Sequence, residues 1–75
     1  MADVEALFIG SLEEARRQGA LSWELRAATS LARLWKQHGR PTRGDALLRP
    51  IYARFTEGFG TSDLQAARTL LEGLA

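Results

Sequence analysis

Cysteine is absent from this sequence, and histidine occurs once, at His38. Without cysteine, neither a disulfide framework nor a cysteine-based zinc site can form, and a single histidine excludes a multi-histidine metal site. Long apolar runs are also missing. No segment approaches the roughly 20 apolar residues of a membrane-spanning helix, so we expect no membrane partner. The N-terminal residues carry acids early and do not resemble a secretory signal, and we expect a cytoplasmic location.

An excess of charge of one sign is missing as well. Ten Lys and Arg residues balance nine Asp and Glu residues, so the net charge of +1 gives no support to a nucleic-acid partner. Apolar residues make up 45% and charged residues 25% of the chain, which is ordinary for a globular protein. A length of 75 residues allows one domain with a small core. Such a chain is a poor candidate for an enzyme that acts alone.

Glycine and proline divide the chain into four segments of helical length. Gly19, Gly39 and the pair Gly58 and Gly60 each follow a segment, and Pro41 comes shortly after Gly39. Glycine commonly ends helices, and strand-like alternation is absent between these positions. The sequence therefore predicts an all-α single domain of four antiparallel helices, at about residues 3–18, 22–38, 43–57 and 62–73.

The first two predicted helices differ in the width of their apolar faces. Helix 1 has a narrow predicted core face, formed by Val4, Leu7, Phe8, Leu12 and Ala15. The apolar arc of helix 2 covers about 200° of the helical wheel at 100° per residue. A helix with so wide an arc is contacted on two sides, so we expect helix 2 to be the central and most buried helix, with Trp35 in the core.

The predicted boundaries of helices 3 and 4 follow from capping residues. Thr42 is a candidate N-cap of helix 3, and Ser62 with Gln65 has capping-box spacing at the start of helix 4. Pro50 lies inside helix 3, where it removes a backbone donor. We expect a kink between Ala46 and Pro50, with two short helices broken at Arg49 as the alternative.

Helices 2 and 3 together resemble one tetratricopeptide (TPR) unit. Leu31, Ala32 and Trp35 match the large, small and aromatic positions of its first helix, and Gly39 matches its turn. Gly44 occupies a position where that motif prefers alanine, and two following core positions are held by Leu48 and Ile51. The resemblance implies a TPR-like α-solenoid fragment, in which helix 1 is the second helix of a preceding unit. A closed four-helix bundle is the alternative architecture.

A narrower resemblance covers nearly the whole chain from residue 15 onward. Its recurring segments read QGA…S.ELRAA.SLARLW…GR and LL.P.Y..FTEGF.T.DL..A..LL. They resemble the C-terminal tail of bacterial multidomain proteins that join an adenylate/guanylate cyclase or related regulatory domain to an AAA-type ATPase. The resemblance implies that the chain is the C-terminal piece of a longer signalling protein. Neither the phosphate-binding loop nor the cyclase aspartates of that family occur here, so no catalytic residue is carried over.

Candidate sites are restricted to contact surfaces. We expect no catalytic residue, no cofactor and no metal, and we interpret His38 as a helix C-terminal residue that complements the helix dipole. The candidate interface residues are Ala6, Ile9, Gly10, Trp23, Arg26, Arg33 and Lys36. The first three form the face of helix 1 opposite its core, which a second copy could cover, and the last three belong to a basic stripe on helix 2.

These observations favour a non-catalytic helical-repeat scaffold that mediates protein–protein or interdomain contacts. Its partner would be an upstream domain of the same protein or a peptide segment, and the isolated chain is expected to form a homodimer. The alternative is a small helix-turn-helix-like DNA-binding regulator, because a basic stripe stands beside a glycine turn. Nucleic acid is the weaker prediction, since the helix that would read DNA contains Pro50 and an apolar stripe.

Overall fold

The computed structural model describes residues 2–57 and 60–74, and all the regular structure in those ranges is helical. Four helices follow one another: α1 (Ala2–Gln18), α2 (Leu21–Gln37), α3 (Pro41–Tyr52) and α4 (Ser62–Leu74). The predicted all-α class and the four helices are confirmed. Gly58, one of the expected stop signals, lies outside the described residues.

Glycine ends the first two helices by the mechanism that the sequence predicts. Gly19 has φ +66° and Gly39 has φ +77°, in the left-handed region that only glycine adopts without strain. After each glycine the next amide donates back to a carbonyl of the last turn, from Ala20 to Ala15 at 2.9 Å and from Arg40 to Trp35 at 2.7 Å. This Schellman geometry satisfies carbonyls that would otherwise be unpaired. The resulting connections are two and three residues long, so α1, α2 and α3 pack as close neighbours.

Helix α3 is shorter than predicted and begins earlier. It starts at Pro41, whose fixed φ and missing N–H suit the first helical position, so Arg40 is the N-cap in place of the expected Thr42. It runs through Pro50 as one helix, without the alternative break at Arg49, but it ends at Tyr52 and not at residue 57. Pro50 has no amide to donate to the preceding turn. The following amides of Arg54 and Phe55 donate to carbonyls three residues back, which closes the helix as a tight turn.

Helix α2 is the centre of the molecule, as expected. Nine of its 17 residues are buried, and it packs against each of the other three helices. Leu25, Leu31 and Leu48 are the largest side chains that are fully buried. A second cluster of Leu31, Leu34 and Trp35 packs against Phe8, Ile9 and Leu47. Core residues of α1, α3 and α4 therefore all meet on one helix.

Helix α4 packs on α2 and α3 but does not reach α1 within the described ranges. The expected alternative of a closed bundle, with the fourth helix folded back over the first, is therefore not the arrangement found. Gly44 explains how α3 approaches α2 so closely. A Cβ at this position would lie 3.0 Å from the carbonyl oxygen of Ala32, so the position needs glycine where the TPR motif prefers alanine.

The orientation of α1 differs from the predicted face. Leu12 and Ala15 are buried and Phe8 is half-buried, as expected, but Leu7 is 72% exposed and Val4 is 41% exposed. On the other flank of the helix, Ile9 packs against α2. Glu5 on that flank accepts a hydrogen bond from Trp35 Nε1, and Arg16 donates to Glu24. The Glu5 and Ile9 side of α1 therefore faces α2, and the Leu7 side faces solvent.

Candidate functional site

One strip of α2 remains exposed because the rest of the helix is in contact with its neighbours. Arg26, Ser30 and Arg33 occur at steps of four and three residues, so they lie on one side of the helix. Arg26 and Arg33 are exposed, and Ser30 is half-buried between them. The fold thus places three polar side chains in a row along its central helix.

Hollows flank this strip on both sides. Toward α4, one of about 440 Å³ is lined by Arg33 and Lys36 of α2 together with residues of α4. Toward α1, another is lined by Phe8 and Ser11 of α1 and by Trp23 of α2. Neighbouring hollows share Arg26, Ser30 or Arg33 and therefore adjoin one another along the strip. We call these adjoining hollows together the α2 groove; their lining includes Phe8, Ser11, Trp23, Arg26, Ser30, Arg33, Lys36, Ser62, Gln65, Ala66, Thr69 and Leu70.

Most cations outside the α2 groove are matched by acids. Arg16 Nε lies 3.1 Å from Glu24 Oε2, and Arg54 Nη1 lies 3.2 Å from Glu24 Oε1. Arg17 pairs with Glu14, and Arg68 pairs with Glu72. The side chain of Glu24 is 5% exposed, and its carboxylate accepts hydrogen bonds from two arginines on different segments. It therefore joins α1, α2 and the turn after α3.

The exposed cations of α3 are also engaged. Arg43 stacks over the Trp35 ring at 4.4 Å from the ring centre. Arg49 donates hydrogen bonds from Nε and Nη2 to the Asp45 carboxylate, which lowers the pKa of that carboxyl and raises the pKa of the arginine. These interactions disfavour the DNA-binding alternative. Helix α3 would be the helix that reads DNA, but its Arg43 and Arg49 already interact with other residues of the protein.

The cations in and beside the α2 groove are different. Arg26 Nε faces Asp63 at 3.6 Å. Arg33, Lys36 and Arg40 have no acidic partner among residues 4–57 and 60–74. Lys36 Nζ lies close to Gly73 in the last turn of α4, where a positive charge complements the helix dipole. One end of the groove therefore carries positive charge that no acid in those ranges matches.

The predicted interface residues divide into two groups. Trp23, Arg26, Arg33 and Lys36 all line the α2 groove, and Trp23 is half-buried at its α1 side. The α1 residues form no common face. Ala6 and Gly10 are exposed, but Ile9 is half-buried and packs against the cluster that contains Leu31, Leu34 and Trp35. The large exposed apolar side chains on this helix are instead Val4 and Leu7.

Two features of the site were not anticipated from the sequence. Glu24 falls within the apolar arc of α2, four, seven and eleven residues before Ala28, Leu31 and Trp35, and that position could have indicated a buried carboxylate. The α4 side of the groove, from Ser62 to Leu70, had no comparable signal. The α4 residues lie beside the groove because of the way in which α4 docks on α2 and α3.

The described residues include no group of three or more His, Cys, Asp and Glu side chains that could hold a metal ion. His38 is exposed and is the C-cap residue of α2, where its amide donates to carbonyls of the last turn. Within the part of the chain described here, no helix is long and apolar enough to cross a membrane. What the groove offers is a mixture of hydroxyls, amides, cations and apolar patches.

Comparisons with known proteins give no further assignment. No protein-family model matches the chain, and neither the curated proteins nor the solved structures contain a significant match. The resemblance to a cyclase–ATPase tail and the assignment to TPR-like repeats therefore stay predictions.

Proposed function

We propose that the chain is a non-catalytic helical scaffold whose α2 groove holds a segment of another protein or of an adjoining domain. The observation that carries this proposal is the exposed strip of Arg26, Ser30 and Arg33, left open between α1 and α4 because those two helices do not meet. Hydroxyl and amide side chains along the groove can satisfy the backbone of a bound segment, and Trp23 and Phe8 offer apolar contact area.

The wider setting is part of the same proposal. TPR-like packing is supported by the order of helix contacts, in which α2 meets both α3 and the following helix α4. In the longer signalling protein that the resemblance implies, the groove would receive a neighbouring domain and so couple sensing to nucleotide chemistry. The expected cytoplasmic location belongs to this proposal and is tested by imaging the tagged full-length protein.

A groove-filling variant tests the proposed function. Ser30 lies at the middle of the groove, so Ser30→Trp would obstruct it, whereas Ala46→Trp adds the same side chain at an exposed position on α3 outside the groove. Both variants are first checked for an unchanged helical circular dichroism spectrum. A library of random 12-residue peptides displayed on phage is then selected on the unmodified chain.

We expect the selected peptides to bind the unmodified chain and Ala46→Trp, and to lose at least tenfold in affinity for Ser30→Trp. That loss corresponds to about 1.4 kcal/mol of binding free energy. The proposal is wrong if no peptide is enriched, or if Ser30→Trp binds the enriched peptides as well as Ala46→Trp does.

Self-association is also proposed, but through different residues from those expected. Ile9 is half-buried against α2, so the apolar surface open to a second copy is that of Leu7 and Val4. Covering one large apolar side chain contributes about 1.5–3 kcal/mol per copy. Sedimentation equilibrium over a concentration series should show a dimer that Leu7→Asp dissociates. A single 8.3 kDa species at every concentration would exclude the dimer.

A further inference from the structure

We infer that the α2 groove selects acidic peptide segments, with Arg33 and Lys36 binding two carboxylates and the Trp23 end holding an apolar side chain. This inference rests on the proposed function and specifies the chemistry of the partner. It begins from the distribution of matched and unmatched charges over the chain.

Charge pairing singles out the two cations. Arg16, Arg17, Arg49, Arg54 and Arg68 are all paired with acids elsewhere on the surface. Arg33 and Lys36 line the groove and have no such partner in the described parts of the chain. A ligand that brings carboxylates to this place meets positive charge that no acid of the described residues neutralises.

The spacing of the two cations fits an extended peptide. Residues three apart on a helix have their Cβ atoms about 5–6 Å apart. Side chains on the same side of an extended peptide, two residues apart, are separated by about 6.6 Å at a rise of ~3.3 Å per residue. Two acidic residues with one residue between them can therefore reach Arg33 and Lys36 together.

The other end of the groove sets a second requirement. Trp23 and Phe8 are half-buried there, beside the hydroxyl of Ser11. Trp23 precedes Arg33 by ten residues, which is about 15 Å along the helix axis. An extended chain covers that distance in about four or five residues. The preferred segment thus carries an apolar residue four or five positions away from its acidic pair.

The groove favours a peptide over a nucleic acid. Its middle is occupied by the ion pair of Arg26 with Asp63, so the carboxylate of Asp63 would repel a continuous phosphate backbone. Nucleic-acid sites generally use many free cations along the backbone, whereas two unmatched cations line this groove in the described residues. A peptide with one acidic pair and otherwise uncharged residues would place no negative charge beside the Asp63 carboxylate.

The probe is a capped peptide that satisfies both requirements in either chain direction. The sequence LSGSESESGSL, acetylated, amidated and labelled with fluorescein, has the acidic pair at its centre and leucine at each end. Its control, LSGSQSQSGSL, replaces both glutamates by isosteric glutamines. An oligothymidylate of 11 nucleotides represents the nucleic-acid alternative. Binding is measured by fluorescence anisotropy at low and at high salt.

Two double variants carry the test. Arg33→Gln with Lys36→Gln removes the proposed carboxylate contacts. Arg17→Gln with Arg68→Gln removes the same net charge from two exposed positions outside the groove. We expect the acidic peptide to bind the unmodified chain about tenfold more tightly than its glutamine control at low salt, as two partly exposed ion pairs would give. The groove double variant should abolish that preference, and the surface double variant should keep it.

The inference is overturned if both peptides bind equally, or if neither binds at millimolar concentration. It is also overturned if both double variants change the preference for the acidic peptide to the same extent. Tighter binding of the oligothymidylate than of the acidic peptide would overturn it as well. Ser30→Trp separates this failure from that of the proposed function. Equal binding of both peptides that Ser30→Trp abolishes would leave the groove as a protein-binding site without a preference for acids. Peptide binding that Ser30→Trp does not change would place the ligand outside the groove and contradict both proposals.

Discussion

The side of α2 that faces the other helices and the side that faces solvent differ in how their charges are matched. On the inner side, Glu24 is 3% exposed and its carboxylate meets two arginines, and no buried polar side-chain atom in the described ranges lacks a hydrogen bond. On the outer side, Arg33 and Lys36 are exposed and have no acidic partner among the described residues.

The difference follows from the cost of removing charge from water. A buried carboxylate without partners would cost several kcal/mol, so the fold tolerates Glu24 only because both arginines reach it. An exposed cation is solvated by water and needs no acidic partner, so the fold does not depend on the charge of Arg33 and uses that of Lys36 only through the dipole of α4. Groups that contribute little to the fold are the ones that can bind a partner at little cost in stability.

The largest effect should come from Trp35→Ala on the inner side. Trp35 is 7% exposed, and its indole donates to Glu5 and has Arg43 stacked over the ring. Truncation of such a core aromatic costs about 3–5 kcal/mol, a large part of the total stability of a domain this small. Urea unfolding followed by circular dichroism measures it. Trp23→Ala, at a half-buried position on the groove, should lower the free energy of unfolding by less than half as much. Equal losses of stability in the two variants would contradict the central position of Trp35.

The Glu24 cluster should show an asymmetric response. Arg16→Gln with Arg54→Gln leaves a buried carboxylate without its charged partners and should cost about 3 kcal/mol. Glu24→Gln leaves two arginines that are already 51% and 59% exposed and can turn to water, so about 1–2 kcal/mol is expected. The same unfolding experiment compares them. A double arginine variant as stable as the unmodified chain would show that Glu24 is not held by these pairs.

Structural features that have a local cause could be predicted from the sequence. Glycine at residues 19 and 39 indicated the ends of two helices, because glycine adopts the left-handed backbone conformation without the steric cost of a Cβ atom. The wide apolar arc of α2 indicated its central position, because a helix contacted on several sides needs apolar residues on several sides. The stripe of Arg26 and Arg33 indicated one part of the groove.

Features with a distant cause were missed. The partners of Glu24 lie eight and 30 residues away, and the hydrogen bond from Trp35 to Glu5 that joins α2 to α1 also spans 30 residues. No spacing rule within one helix contains that information. The exposure of Leu7 and the contribution of α4 to the groove therefore depended on packing that the sequence pattern does not display.

Replacement of glycine by alanine at two positions should change the free energy of unfolding by smaller amounts and in opposite directions. Gly44→Ala would place a methyl group 3.0 Å from the Ala32 carbonyl oxygen, so we expect a net loss of about 1–2 kcal/mol. Gly10→Ala, in α1, meets nothing within 4 Å and should gain about 0.5–1 kcal/mol from helix propensity. Thermal unfolding of both variants measures the difference. A stabilising Gly44→Ala would mean that α2 and α3 are farther apart than described.

The smallest effects on stability should come from the outer side of α2. Arg33→Gln removes a charge with no acidic partner in the described residues, so the free energy of unfolding should change by less than about 0.5 kcal/mol. Lys36→Gln should cost slightly more, within about 0.3–1 kcal/mol, because its ammonium lies by the last turn of α4 and complements that helix dipole. Urea unfolding at low and high salt distinguishes the two, since salt screens only the Lys36 contribution. A loss above 2 kcal/mol for Arg33→Gln would show that the fold uses this charge, and the contrast between the two sides of α2 would no longer hold.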